Sequence, residues 1–162
     1  MRTIQWLFAV GVLLFVTGIG FVIAGAREAR SATPPVQAPP AGKPVATIKQ
    51  IMSGITQPNA AILYASVGTV AGPEGTRDIS PQNDEEWTAV GNSAAALIES
   101  GNLLLMNGRA VDADAWVTMT NAFIAASATA LKAADDKSTD GILLAGAKVY
   151  ATCETCHERY QR

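Results

Sequence analysis

Residues Ile4 to Ala26 are 23 consecutive positions without a charged side chain. A helix needs about 20 apolar residues to cross the ~30 Å hydrocarbon core of a bilayer. The run is long enough to span, and it exceeds the apolar region of a cleaved secretory signal, typically about 7–15 residues. Nothing later in the chain is apolar enough to surround such a helix, so a soluble core helix is excluded. The run therefore predicts an N-terminal segment over residues 1–30 that engages the lipid bilayer through residues 4–26. Trp6 stands near one end, where an interfacial aromatic belongs. Ala24-Gly25-Ala26 is a small-residue cleavage site in the alternative reading, in which residues 1–26 are removed. Arg2 before the run and Arg27 and Arg30 after it give opposing charge signals. On either reading the rest of the chain is exported. The expected location is the inner (cytoplasmic) membrane with the following domain on the periplasmic side, or the soluble periplasm if the segment is cleaved.

Residues 31–44, SATPPVQAPPAGKP, hold five of the eight prolines: Pro34, Pro35, Pro39, Pro40 and Pro44. Such a stretch is extended and acts as a semi-rigid spacer. From Ser31 onward nine Lys/Arg stand against thirteen Asp/Glu, and no basic cluster exists, which argues against nucleic acid as a partner. The remainder is rich in Ala and poor in aromatic and β-branched runs, so an all-β fold is excluded.

Helical periodicity places four segments in residues 45–162. The first covers about 45–67, with Ile48, Met52, Ile55 and Ile62 on one stripe and Pro58 expected to bend or break it. A Gly-rich loop, TVAGPEGTRDIS, follows. The second starts at Asn83, with Glu86 set to reach back to the cap's N–H and with Asp84, Glu85 and Glu86 suited to the positive end of the helix dipole. Its inner stripe is Trp87, Val90, Ala94, Leu97 and Leu104, and Asn107-Gly108 ends it. The third covers about 112–134, with Trp116, Met119, Phe123, Ala126 and Ala130 inward. The fourth covers about 139–160. Short connections predict an all-α, antiparallel four-helix bundle. Its small inward residues allow close approach of helices or leave room for a flat ligand.

Both cysteines and the one histidine of the chain fall within five residues, Cys153-Glu154-Thr155-Cys156-His157. Cys-x-x-Cys-His is the attachment signature of c-type haem. Residues three and four apart share a helix face. Cys153 and Cys156 thus present thiols toward the two vinyl groups of one porphyrin, and His157 can place a ring nitrogen beneath the iron. Tyr150 and Tyr160 share that stripe and are candidates to pack along the ring. A Cys153–Cys156 disulfide, a thioredoxin-like redox pair and a zinc site compete with this reading. The redox pair wants a βαβ context, and a closed zinc site wants four ligands where three such residues exist.

With the signature close to the C-terminus of a helical domain, and with Tyr160 three residues after His157, residues 45–162 resemble the class II cytochromes c of the cytochrome c prime type. The resemblance implies one covalently attached haem c with its iron, His157 as proximal ligand, and no enzymatic activity. In low-spin members of that family a Met of the first helix is the sixth ligand, which maps onto Met52; Met106 and Met119 are the other inward candidates. High-spin members leave the iron open to small gases. The departures are the N-terminal segment, the Pro-rich spacer, Pro58, and Gln161 where the family usually has a basic residue.

Three functions follow as expectations. The first is a membrane-tethered, single-haem electron carrier working with membrane redox proteins, its acidic surface suited to a basic partner. The second is a high-spin binder of NO or CO. The third is a structural haem subunit of a membrane complex. A catalyst is the least expected, because no second His can act as acid or base once His157 is a ligand.

Overall fold

The computed structural model of the protein describes residues 2–31 and 42–161. The chain divides into two units, residues 1–41 and 42–162. The first contains helix α1 (Arg2–Ser31). Its apolar span, Arg2–Glu28, is 27 residues long and none of it is buried. At 1.5 Å per residue it rises about 40 Å, so it is long and apolar enough to cross a membrane; a signal sequence has the same properties. The helix continues to Ser31, past the expected end at residue 30. Pro34, Pro35, Pro39 and Pro40 of the expected spacer lie outside the described residues.

The second unit is mostly helical with one small sheet. Its elements are α2 (Ile48–Ile51), a π-helical turn (Met52–Thr56), α3 (Gln57–Ala65), β1 (Gly68–Gly72), β2 (Gly75–Ile79), α4 (Asp84–Leu104), α5 (Ala115–Asp135) and α6 (Thr139–Tyr160). Helix α4 packs on α5 and α5 on α6, while α3 touches both α4 and α6.

The helical run begins at Ile48 rather than residue 45 because Thr47 caps it. The Thr47 hydroxyl accepts from the Gln50 N–H, and the Gln50 side chain accepts from the Thr47 N–H, satisfying two of the donors that a helix start leaves open. Pro58 does not break the run. A proline has no N–H to donate, and its ring clashes with the carbonyl four residues earlier, here that of Gly54. The chain answers with a π turn just upstream, in which the Gln57 N–H donates to the Met52 carbonyl. The turn consumes one extra residue, and the inward stripe shifts by one beyond it. Thr56 is buried in place of the expected Ile55, and Leu63 in place of Ile62, which is 47% exposed.

The expected Gly-rich loop is a β-hairpin, which corrects the all-α expectation. Strands β1 and β2 pair antiparallel from Gly68↔Ile79 to Gly72↔Gly75, and the Thr69 hydroxyl donates to Asp78 at 2.8 Å. Nearly all of its residues are exposed, so backbone pairing rather than burial holds it.

At α4 the Asn83 side chain accepts from the Glu86 N–H at 2.9 Å. The Glu86 carboxylate reaches the Gln82 N–H at 2.7 Å, one residue beyond the expected cap N–H, and also takes a bond from the Asn83 amide. The helix stops at Leu104, before the expected Asn107-Gly108. There the Arg109 guanidinium covers the end, donating to the Leu103 carbonyl at 2.8 Å and to the Ala46 carbonyl. Gly108, at φ +88°, completes the turn. Helix α5 starts at Ala115, three residues after the expected Asp112, because the Asp112 carboxylate stays outside and accepts from the Trp116 N–H at 2.9 Å.

The apolar interior falls into two clusters. The larger gathers Leu63, Trp87, Val90, Leu97, Phe123, Ile142, Val149 and their alanine neighbours, with Cys153 packed at its edge. The smaller is built on Ile51, Leu104 and Trp116, with Ile48, Met52, Leu103 and Tyr160 against it. Helices α4 and α5 approach so closely at Gly101 that a Cβ there would lie 2.4 Å from Ile124 Cγ1.

Candidate functional site

Helix α6 begins at Ser138, whose hydroxyl accepts from the Gly141 N–H at 3.0 Å. Ile142, Ala145, Gly146 and Val149 then bury its inner face. The next turns of that face carry Cys153 and Cys156, both half-buried free thiols, and the exposed His157. Core burial in the first half of α6 thus sets the rotation at which the Cys-x-x-Cys-His residues are presented.

They open onto one cavity of about 1080 Å³, lined by Met52, Tyr150, Cys153, Cys156, His157 and Tyr160 together. All six candidate site residues line this cavity. Across from α6 the lining is Ile48, Lys49, Met52, Thr56, Gln57, Ala60 and Tyr64, and five of these stand at every fourth position along the first helical run. On an α-helix each four-residue step drifts about 40° around the axis, which would carry such a row off one face; the wider π turn takes up part of that drift. Helix α5 contributes Trp116, Met119, Thr120 and Phe123. The cavity therefore lies between the two apolar clusters and draws lining residues from both. Its size is at the upper end of ligand pockets, about 300–1,000 Å³, and exceeds the voids that close-packed interiors contain.

Aromatic contacts frame it. Tyr64 meets Tyr150 edge-on at 6.2 Å between ring centres. Trp116 meets Tyr160 at 5.1 Å, also edge-on, and the Trp116 indole N–H donates to the Leu104 carbonyl at 3.0 Å. The Tyr160 hydroxyl donates to the Asp112 carboxylate. Of the other methionines, Met119 lines the cavity; Met106 does not, and its sulfur lies 3.1 Å from an Arg109 nitrogen.

Burial pushes the Cys153 thiol above its ordinary value, only partly opposed by a hydrogen bond from Tyr64. Burial raises Cys156 as well. Tyr64 is raised chiefly by its own burial and further by Cys153, Tyr150 by its hydrogen bond with Glu154, and Tyr160 by burial and Asp112. A redox-active Cys-x-x-Cys relies on a depressed thiol, at a helix N-terminus or beside a cation. Here the pair sits near a helix C-terminus, where the dipole also disfavours a thiolate. Among the described residues no three His, Cys, Asp or Glu side chains converge as a metal-ion site, so the zinc reading finds no ligand cluster. Two neutral thiols spread along an apolar wall, with an imidazole one turn on, fit a large flat group bonded at two points.

The opposing row through Thr56, Ala60 and Tyr64, the aromatic pair at Trp116, and Asp112 escape the sequence reading. Gly54 with Pro58 four residues later is the local signal for the π turn that builds the row. No known family model matches the chain, and neither a curated protein nor a solved structure is detectably similar to it.

Proposed function

We propose that the protein is an exported, single-haem c-type cytochrome of class II type, with the antiparallel four-helix architecture of that family, acting as an electron carrier. Cys153 and Cys156 would hold haem c through thioether bonds, His157 would be the proximal ligand and Met52 the distal one. The haem supplies one-electron redox chemistry when bound. The chain's own residues orient it and exclude water: Phe123, Ala60 and Trp116 offer apolar wall, and Tyr64 and Tyr150 flank the Cys153 side. Helix α1 serves as the membrane tether, with the haem unit on the periplasmic side and membrane redox proteins as partners. The observation that carries the reading is that Met52, from a helix about one hundred residues away, lines the same apolar cavity as Cys153, Cys156 and His157.

The test is a haem-stained denaturing gel of the full chain made in a host with haem-attachment machinery, followed by spectra of both redox states. Covalent stain with a six-coordinate, low-spin spectrum supports the electron carrier. A high-spin spectrum that changes on adding carbon monoxide replaces it by the gas-binding reading. Absence of stain removes the haem assignment.

A further inference from the structure

The geometry points to Asp112 as a positioning residue for His157, acting through Tyr160 to fix the last turn of α6 against the α4–α5 connection. The inference rests on the haem reading above. One carboxylate serves three groups. One oxygen, Oδ1, accepts from the Trp116 N–H at 2.9 Å. The other, Oδ2, accepts from the Tyr160 hydroxyl and lies 3.8 Å from an Arg159 guanidinium nitrogen. Arg159 in turn lies over the Tyr160 ring, 5.5 Å from its centre, and Trp116 packs edge-on against the same ring at 5.1 Å between centres.

The placement matters more than the number of contacts. Tyr160 is three residues after His157, on the same helix face, and is the last residue of α6. Below it, among the described residues, only the Gln161 N–H, donating to the His157 carbonyl at 2.9 Å, continues the helical bonding. Helix ends fray unless something outside holds them. Here the outside hold is a charge-assisted bond, the stronger kind, to a residue 48 positions away. His157 itself is exposed, and its turn is held where Tyr160 packs against the cluster of Ile51, Leu104 and Trp116, so the orientation of its ring depends on whether Tyr160 stays docked. Partners that orient a ligand from outside its immediate contacts commonly change site properties about 10–100-fold when removed.

The test uses the full-length haem protein with Tyr160→Phe and Asp112→Asn. Tyr160→Phe keeps the ring on Trp116 and removes only the hydroxyl. Amide exchange at residues 157–161 should quicken about tenfold in both variants, the equivalent of one hydrogen bond to a charged acceptor. The electron paramagnetic resonance signal of the oxidised haem should change from a single set of g-values to a heterogeneous one. Parent-like exchange, or faster exchange with a parent-like haem signal, overturns the inference, since the contact is then absent or merely structural. A parent protein without covalent haem overturns it together with the reading it rests on, and that result is seen in the parent alone. If Asp112→Asn fails to fold because its single amide oxygen cannot serve both Trp116 and Tyr160, Tyr160→Phe decides the matter by the same two measurements.

Discussion

Met52→Ala separates ligation from packing. A buried Met→Ala change costs about 2–5 kcal/mol through lost transfer energy and the cavity left behind. Met52 is only half-buried, lying against the cluster of Ile51, Leu104 and Trp116 at the edge of an existing cavity. About half of that range is therefore expected from packing alone, roughly 1–2.5 kcal/mol. In a domain of this size that lowers Tm by about 4–10 °C. Ligation predicts more. Loss of a thioether that favours reduced iron lowers the reduction potential and opens the sixth position. The variant should show a high-spin or water-ligated spectrum, and its reduced form should bind carbon monoxide rapidly where the parent does not. Met119→Leu is the control, because Met119 lines the same cavity from α5; it should keep the parent spectrum. A Met52→Ala protein with a lowered Tm but unchanged spectrum, potential and carbon monoxide binding would refute the ligand assignment. A loss of the low-spin spectrum in Met119→Leu instead would move the ligand to α5.

Replacing both Cys153 and Cys156 by Ala should abolish haem stain on a denaturing gel, and Cys153→Ala alone should weaken it, since the chain has no other thiol. Gly101→Ala should destabilise by about 1–3 kcal/mol through overpacking, because its Cβ meets Ile124 Cγ1 at 2.4 Å; thermal melts of Gly101→Ala with Ile124→Ala should show a cost below the sum of the single changes. Lys137 donates to Asp84 and holds its carboxyl below the ordinary value. A lowered folded pKa gives stability that is present above the unfolded pKa and is lost as pH falls through the folded one. Asp84→Asn should accordingly flatten the acid limb of Tm against pH below about pH 4, and an unchanged limb would deny the pair any role. N-terminal sequencing of membrane fractions should find α1 retained, whereas a mature start near Arg27 would make the carrier freely diffusing.

What could be read in advance follows from how each feature is encoded. Local codes were legible. Asn83 with Glu86 marks the start of α4, and Trp116, Phe123, Ala126 and Ala130 repeat at the spacing that buries one helix face. The Cys-x-x-Cys-His spacing is equally local, since residues three and four apart share one helix face. The hairpin was not legible, because its strands bury almost nothing and leave no alternation for a hydrophobic pattern to detect. The hold of Asp112 on Tyr160 joins residues far apart in sequence, and no periodicity links them.

The π turn belongs to both kinds of code, and this makes it informative. Pro58 suggested a defect in the first helix, and a defect is what its missing N–H and bulky ring impose. A break there would have detached Ala60, Leu63 and Tyr64 from the stripe that holds Met52. The wider turn instead absorbs one residue and keeps the helical path continuous from Ile48 to Ala65. The consequence is not local. The one-residue shift turns Ile62 outward and Leu63 inward, and it lets Met52, Thr56, Ala60 and Tyr64 share a single wall opposite Cys153 and His157. A straight α-helix with the same residues would place Met52 and Tyr64 about 120° apart around its axis, and the wider π turn narrows that angle. The proline that looked like an interruption is thus tied, through the turn that accommodates it, to the alignment on which the site depends.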